Sequence, residues 1–209
     1  MSIVLICIIA FLPALIWGIV SIKNKISFSL LVLLFFIALI TIPICTLLQR
    51  FITVQCSAVK NPIVLTLLQH FFITSFTEES IKYLAFHLFI HFYLREKYSA
   101  QKEQRIYYHV AIFLGLCFGS FETLSYGIRY TDILFFRIFT AVILHGSLAA
   151  FYVPIALRKD GIPVALFAVP VLLHGFYDLF AAMQGFFIYC SFALIYFSIR
   201  YAYQQLRKI

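Results

Sequence analysis

A polytopic, all-α transmembrane bundle is the fold class this sequence predicts, and three observations predict it. Of its 209 residues 64% are hydrophobic and only 11% charged, far outside the range of a water-soluble domain. Seven apolar runs are long enough to cross a bilayer, at roughly 2–21, 28–48, 63–93, 106–128, 133–157, 162–182 and 186–206, against the about 20 residues that a span needs. None of them alternates with period two, so helices, which satisfy their own backbone polar groups in lipid, are the expected elements.

The first run lacks a basic leader and a small-residue cleavage site and contains Pro13 and Trp17, so it reads as a retained span. The second and seventh offer only hydropathy, with Tyr201 and Tyr203 as interface anchors near the end of the seventh, and Tyr107 and Tyr108 playing that part in the fourth. The third interrupts its apolar character with Glu78, Glu79 and Lys82. On the fourth, Gly115, Gly119, Glu122 and Ser125 share one broad face, and small residues four apart permit close helix approach, which puts Glu122 on a packing face. The fifth repeats the device with Ala141, His145 and Ala149, with Gly146 alongside. In the sixth, His174 and Asp178 lie one turn apart, and Pro170 one turn earlier removes an amide donor and should free the Leu166 carbonyl or kink the helix.

Connections are short, the longest running from Arg95 to Arg105, and no internal repeat or low-complexity tract is evident. Residues 1–209 therefore read as one integral membrane domain. Lys23, Lys25, Arg95, Lys97, Lys102, Arg105, Arg158, Lys159, Arg200, Arg207 and Lys208 fall on one side of the membrane, against Arg50, Lys60, Arg129 and Arg137 on the other. The positive-inside rule then places the N-terminus outside and the C-terminus in the cytosol. The net charge of +8 is accounted for by these span ends, so no nucleic-acid partner is expected. Cys7, Cys45, Cys56, Cys117 and Cys190 have no zinc-ligand or disulfide spacing and read as packing residues.

Half of the eight acidic residues lie within spans: Glu78, Glu79, Glu122 and Asp178, accompanied by Lys82, His145 and His174. An ionised side chain at bilayer depth costs roughly 2.5–3.5 kcal/mol on insertion scales, so such groups usually face a polar interior and serve a function. At a rise of about 1.5 Å per residue, Glu78, Glu122, His145, His174 and Asp178 fall between the midplane and the outer leaflet, as one polar cavity requires. Glu78 and Lys82 are four apart in the favoured order for an ion pair, and Glu79 is three from Lys82. The two adjacent carboxylates cannot point at the same spot, so one is expected to meet water while the other pairs with Lys82 or a neighbouring helix. Two close carboxylates also favour a shared proton and a base working near neutral pH. Interfacial positions account for His70, His87, His91 and His109.

These residues form Glu78-Glu79-x-x-Lys82, Phe118-x-x-x-Glu122, a lone His145 and His174-x-x-x-Asp178, one motif per helix in order. In this the chain resembles the PrsW family of intramembrane endopeptidases, relatives of the type II CAAX prenyl endopeptidases, over about Thr77 to Leu179, with a catalytic core at about 63–182. The resemblance implies peptide-bond cleavage of a membrane-anchored protein or peptide substrate in the bilayer, bacterial members acting on regulators such as anti-sigma factors in the cytoplasmic membrane. It implies Glu78 as the base that activates water, Glu79 as its support, and His145, His174 and Asp178 as the groups that bind the developing oxyanion. Glu122 stands where the prenyl endopeptidases have histidine, and Thr123 follows it where the family often has asparagine.

The residues themselves leave alternatives open. Glu78, Glu122, His145 and His174 can hold zinc as a water-activating Lewis acid, although no HExxH pattern is present, and a metal-free glutamate mechanism without cofactors is preferred. The same Glu, His and Asp set could serve a proton-coupled carrier as a relay, but inverted halves are absent and the polar groups gather at one level. A silent scaffold that binds membrane partners is the third reading, disfavoured because the motif residues are retained.

Overall fold

Short polar side chains open the first three helices of the chain, which a computed structural model describes over residues 2–94, 104–158 and 161–208. Ser2 Oγ accepts from the Leu5 amide at the head of α1 (Ile3–Lys23), and Ser27 Oγ from the Leu30 amide at the head of α2 (Phe28–Gln55). Asn61 Oδ1 accepts from the amides of Ile63 and Val64 and precedes Pro62, which starts α3 (residues 62–94). Caps of this kind satisfy amides of the first helical turn that have no carbonyl before them, and proline is tolerated there because its missing donor is not needed. The chain continues through α4 (Gln104–Arg129), α5 (Thr131–Ala156), α6 (Val164–Met183) and α7 (Phe187–Arg207). Left-handed residues close two of the turns: Lys25 between α1 and α2, and Gln184 with Gly185 between α6 and α7. No strand occurs among the described residues. The basic connection expected at Arg95 to Arg105 lies largely outside them, as do Lys159 and Asp160.

The helices form a membrane bundle, with one qualification to the expected seven spans. Five are long and apolar enough to cross a bilayer by length and composition alone: α1, α2 with its extension to Ala58, α4, α5 and α6. α3 and α7 belong to the same bundle but carry more polar residues, Gln69, His70, Glu78, Glu79 and Lys82 in α3 and Arg200, Gln204, Gln205 and Arg207 in α7. In α3 those are the residues from which the site is built.

α4 lies at the centre. Tyr107 to Ser120 are buried without a break, and a helix buried on every side must be enclosed by others. α1 runs antiparallel to it, since Trp17 Nε1 donates to the His109 carbonyl at 3.1 Å while Ile6 lies against Gly127. α5 is also antiparallel to α4, with Ala149 at Gly115, Val142 at Gly119 and Leu134 at Gly127. α6 is antiparallel to α3, through Phe71 against Gly175 and Tyr83 against Phe167. α7 pairs with α5 through Phe136 and Phe192 at one end and Phe151 and Tyr201 at the other. The outward faces remain apolar, as at Ile8, Leu15 and Ile19 of α1 and Phe36, Ile40 and Leu47 of α2, which is the exterior that lipid demands.

Three departures from regular helix were not legible beforehand. α3 contains π-helical turns at Leu68–Phe76 and Ile90–Leu94, and α5 another at Ile138–Val142. The first ends just before the turn bearing Glu78, the third shortly before His145, and π-helical turns within helices are frequent at functional sites. Pro170, by contrast, sits inside α6 without ending it. His109 also departs from its expected interfacial place: it is buried, stacks on Trp17 with ring centroids 5.1 Å apart, and has Nδ1 3.2 Å from Ser21 Oγ, so it ties α1 to α4.

The closest approach in the bundle depends on missing side chains. A Cβ on Gly115 would overlap the His145 carbonyl oxygen, one on Gly119 would lie 2.8 Å from His145 Cδ2, and one on Gly146 would lie 2.6 Å from Leu116. The small-residue stripes of α4 and α5 therefore set the depth at which His145 is held. Gly115→Ala should lower the unfolding free energy in detergent by about 1–3 kcal/mol, the usual cost of overpacking. Leu47→Ala, on a lipid-facing position, should stay within about 0.5 kcal/mol in the same denaturation series.

Candidate active site

Glu79 is the most completely enclosed acid in the site. It is 0% exposed, and three donors from three helices meet its carboxylate. Lys82 Nζ of the same helix lies 2.5 Å from Oε1, His174 Nδ1 of α6 lies 2.8 Å from the same oxygen, and Tyr152 of α5 donates its hydroxyl to Oε2 at 2.5 Å. A buried carboxylate is tolerable only when so partnered, because desolvation has to be offset at both oxygens. Lys82 is 1% exposed and spends its other donors on His145 Nδ1 at 2.8 Å and on the face of Phe118, 4.7 Å from the ring centre. An ammonium only donates, so His145 Nδ1 accepts, and His145 Nε2 carries the hydrogen that points 3.0 Å away to Glu122 Oε2.

Glu78 has a different environment. Gln49 Nε2 of α2 donates to its Oε1 at 3.0 Å, while Oε2 is buried without a hydrogen-bond partner. The nearest cationic candidate for that oxygen is His174 Nε2 at 3.9 Å, and the same nitrogen lies 3.5 Å from Asp178 Oδ2. With Nδ1 donating to Glu79, His174 presents Nε2 to Glu78 and Asp178. Glu78, Glu122 and Asp178 line a cavity of about 840 Å³, bounded by α2, α3, α4, α5 and α6, on which Arg50, Arg129 and Arg137 also border. Arg137 Nη2 is 2.7 Å from Glu122 Oε2, and its guanidinium lies over the Tyr126 ring at 4.0 Å.

All seven residues singled out in the sequence thus come together: Glu78, Glu79, Lys82, Glu122, His145, His174 and Asp178. Of the two acids the spacing allowed, Lys82 takes Glu79 three residues away and not Glu78 four away, because His174 and Tyr152 make Glu79 the acid whose charge the interior can hold. Three details differ from expectation. The adjacent carboxylates do not share a proton site, since each has its own partners. His145 does not stand beside His174 as a free oxyanion donor, for both its ring nitrogens are engaged; the two rings meet edge to face at 4.9 Å. His70, expected at an interface, lines the cavity.

Sequence reading missed Tyr152, Gln49 and the pairing of Arg137. Tyr152 is seven residues beyond His145 and so on its face, a signal hidden among 13 tyrosines. Gln49 is a polar residue in an apolar run. Arg137 reads in the sequence as a topological charge only.

The residues fit a divalent metal. Glu78, His145 and His174 each offer a ligand atom within 4.8 Å of the others, and the unpartnered Glu78 Oε2 is one that an ion would satisfy. Glu78 and His174 have ligand atoms to spare, whereas His145 joins only by exchanging its Lys82 or Glu122 contact. The expected absence of a cofactor therefore has no support.

A helical membrane bundle enclosing acids and imidazoles on a polar cavity defines an integral-membrane protein equipped for hydrolysis within the bilayer. The family model described as PrsW family intramembrane metalloprotease matches residues 27–203, most of the chain, and the chain belongs to that family of intramembrane proteases. Comparisons with curated proteins and with solved structures give no match. Tyr152→Phe should lower stability in detergent by about 1–3 kcal/mol, since it leaves a buried carboxylate oxygen without its donor. Paired with Glu79→Gln in a double-mutant cycle, it should show a coupling of about 0.5–3 kcal/mol, and simple additivity would disprove the contact.

Proposed function

We propose that this chain is an endopeptidase that cleaves a membrane-anchored protein substrate in a bacterial cytoplasmic membrane, with residues 63–182 as its catalytic core and Glu78 as the group that activates water. The observation that carries this reading is the division of labour between adjacent acids. Glu79 has donors on both oxygens, whereas Glu78 lines the cavity and has one buried oxygen without a partner. Water held at Glu78 Oε2 gives up a proton to that oxygen as its own oxygen attacks the peptide carbonyl carbon. The negative charge then moves to the carbonyl oxygen, where His174, as the imidazolium with Nδ1 donating to Glu79, donates from Nε2. The proton on Glu78 passes to the leaving nitrogen, the C–N bond breaks, and a carboxyl and an amine result.

Asp178 aligns His174 from the cavity side. Glu122 holds His145 and Arg137, and Lys82 fixes the His145 tautomer while neutralising Glu79. Where a metal such as zinc is bound, Glu78, His145 and His174 would hold it, with Glu122 adjacent, and it would supply Lewis-acid polarisation of water and carbonyl. The unpartnered Glu78 oxygen favours this second reading as well as the first. Membrane-anchored regulators such as anti-sigma factors are the substrates that the family resemblance suggests.

In nanodiscs with a single-span substrate, Glu78→Gln and His174→Ala should each reduce the cleavage rate by at least roughly 100-fold, within the range of a lost general base or oxyanion donor. Wild-type rates in both variants would sink the catalytic assignment. Chelation followed by dialysis should leave cleavage intact if Glu78 acts on water alone; loss restored by zinc, with stoichiometric metal in the wild type and little in His174→Ala, would establish the metal centre. Proton flux into liposomes without cleavage would point instead to a carrier.

A further inference from the structure

Arginine is distributed against the topology of this chain. The helices alternate in direction, so the end of α2, the α4–α5 connection and the end of α6 meet at the membrane face where α1 begins. That face has only Arg50, Lys60, Arg129 and Arg137 among the basic residues at span ends, against the eleven named above for the other. Three of these four, Arg50, Arg129 and Arg137, border the 840 Å³ cavity. Charges that serve only orientation have no reason to gather on one cavity.

Their partners separate them further. Arg137 is neutralised by Glu122 and stacked on Tyr126, so it belongs to the floor. Arg50 and Arg129 are exposed, and among the described residues neither has a carboxylate within ion-pair distance. The cavity thus has an acidic floor of Glu78, Glu122 and Asp178 and two guanidinium groups bordering it without counter-charges. Guanidinium is the side chain best suited to hold a carboxylate through paired hydrogen bonds.

From this arrangement we infer that Arg50 and Arg129 form a substrate subsite for an acidic side chain near the scissile bond. The inference rests on the protease reading above and names the substrate chemistry of that same site. The spacing sets the register. With the cut bond taken level with Glu122, which lines the same cavity as Glu78, Arg129 lies seven residues further on α4, about 10 Å along the helix. An extended peptide advances about 3.3 Å per residue, so the Asp or Glu falls about three positions from the bond that is cut. Repulsion from the floor carboxylates keeps the acidic side chain at the arginines, which fixes how the peptide lies across the cavity.

The test uses the full chain in zwitterionic nanodiscs and a single-span substrate whose cleavage position is mapped by mass spectrometry. Asp, Asn and Lys are placed in turn at each of the four positions on either side. Asp about three residues from the cut should raise kcat/KM roughly tenfold over Asn, equivalent to about 1.4 kcal/mol. The Arg50→Gln, Arg129→Gln pair should bring the Asp-to-Asn ratio to about one. The Arg50→Glu, Arg129→Glu pair should shift the preference to Lys, a gain that a misfolded protein cannot produce. An Asp-to-Asn ratio near one in the wild type, or a ratio that survives in the Gln pair, overturns the subsite while leaving the protease standing. Variants that slow Asp and Asn substrates equally overturn it too, and would assign the arginines to lipid phosphate or to structure. If no substrate is cut, the protease reading fails by itself, and anisotropy titration of Glu78→Gln with the Asp and Asn peptides decides the subsite. Tighter binding of Asp, lost in the Gln pair, supports it; equal binding overturns it.

Discussion

The structure depends on one carboxylate that has no water. Glu79 sits at the meeting point of α3, α5 and α6, and its charge is held by a lysine, an imidazole and a phenol instead of by solvent. Removing any donor leaves part of a buried charge unmatched, which costs far more than the donor's own net contribution. The three helices are therefore locked in a single mutual register. Everything else follows from that lock: His174 has one nitrogen fixed and one available, Lys82 reaches His145, and Glu78, next in the chain, is turned to the cavity.

Around this centre the packing is arranged by subtraction. Gly115 and Gly119 let α5 approach α4 until His145 lies against the backbone, and Gly175 lets the Phe71 ring come between α3 and α6. Bulk at these positions would move the imidazoles, and imidazoles displaced by a methyl group would no longer meet their carboxylates. The π-helical turns in α3 and α5 have the complementary effect of changing helix phase just before Glu78 and His145. Lipid-facing positions carry none of this burden, which explains how so apolar a sequence can encode so specific a centre.

Much of this was legible in the sequence because a charge in an apolar helix is conspicuous. Hydropathy fixed where the helices lie, and cost in lipid singled out Glu78, Glu79, Glu122 and Asp178. What the sequence withheld were choices made by tertiary contacts. Helical spacing allowed Lys82 to pair with either acid, and only donors arriving from α5 and α6 favoured Glu79. Tyr152 looked like any other aromatic residue of a membrane protein, and Arg137 like a topological charge. His109 resembled an interfacial histidine because nothing local reveals that Trp17 and Ser21 of α1 will cover it. The π-helical turns left no recognisable pattern, since the same residues are good α-helix formers.

The Lys82–Glu79 pair also bears on how the protein is made. Synthesis proceeds from the N-terminus, and the tertiary partners of this pair lie far downstream: His145 is 63 residues beyond Lys82, and Tyr152 and His174 are 73 and 95 beyond Glu79. α3 thus meets the translocon and the lipid before the groups that will hold its charges have been translated. At that moment a lysine three residues from the glutamate is the one neutralising partner within the segment itself, and each charge it masks is worth roughly 2.5–3.5 kcal/mol of insertion energy. The contact that orders the finished centre thus also lowers the cost of bringing its most polar helix into the membrane.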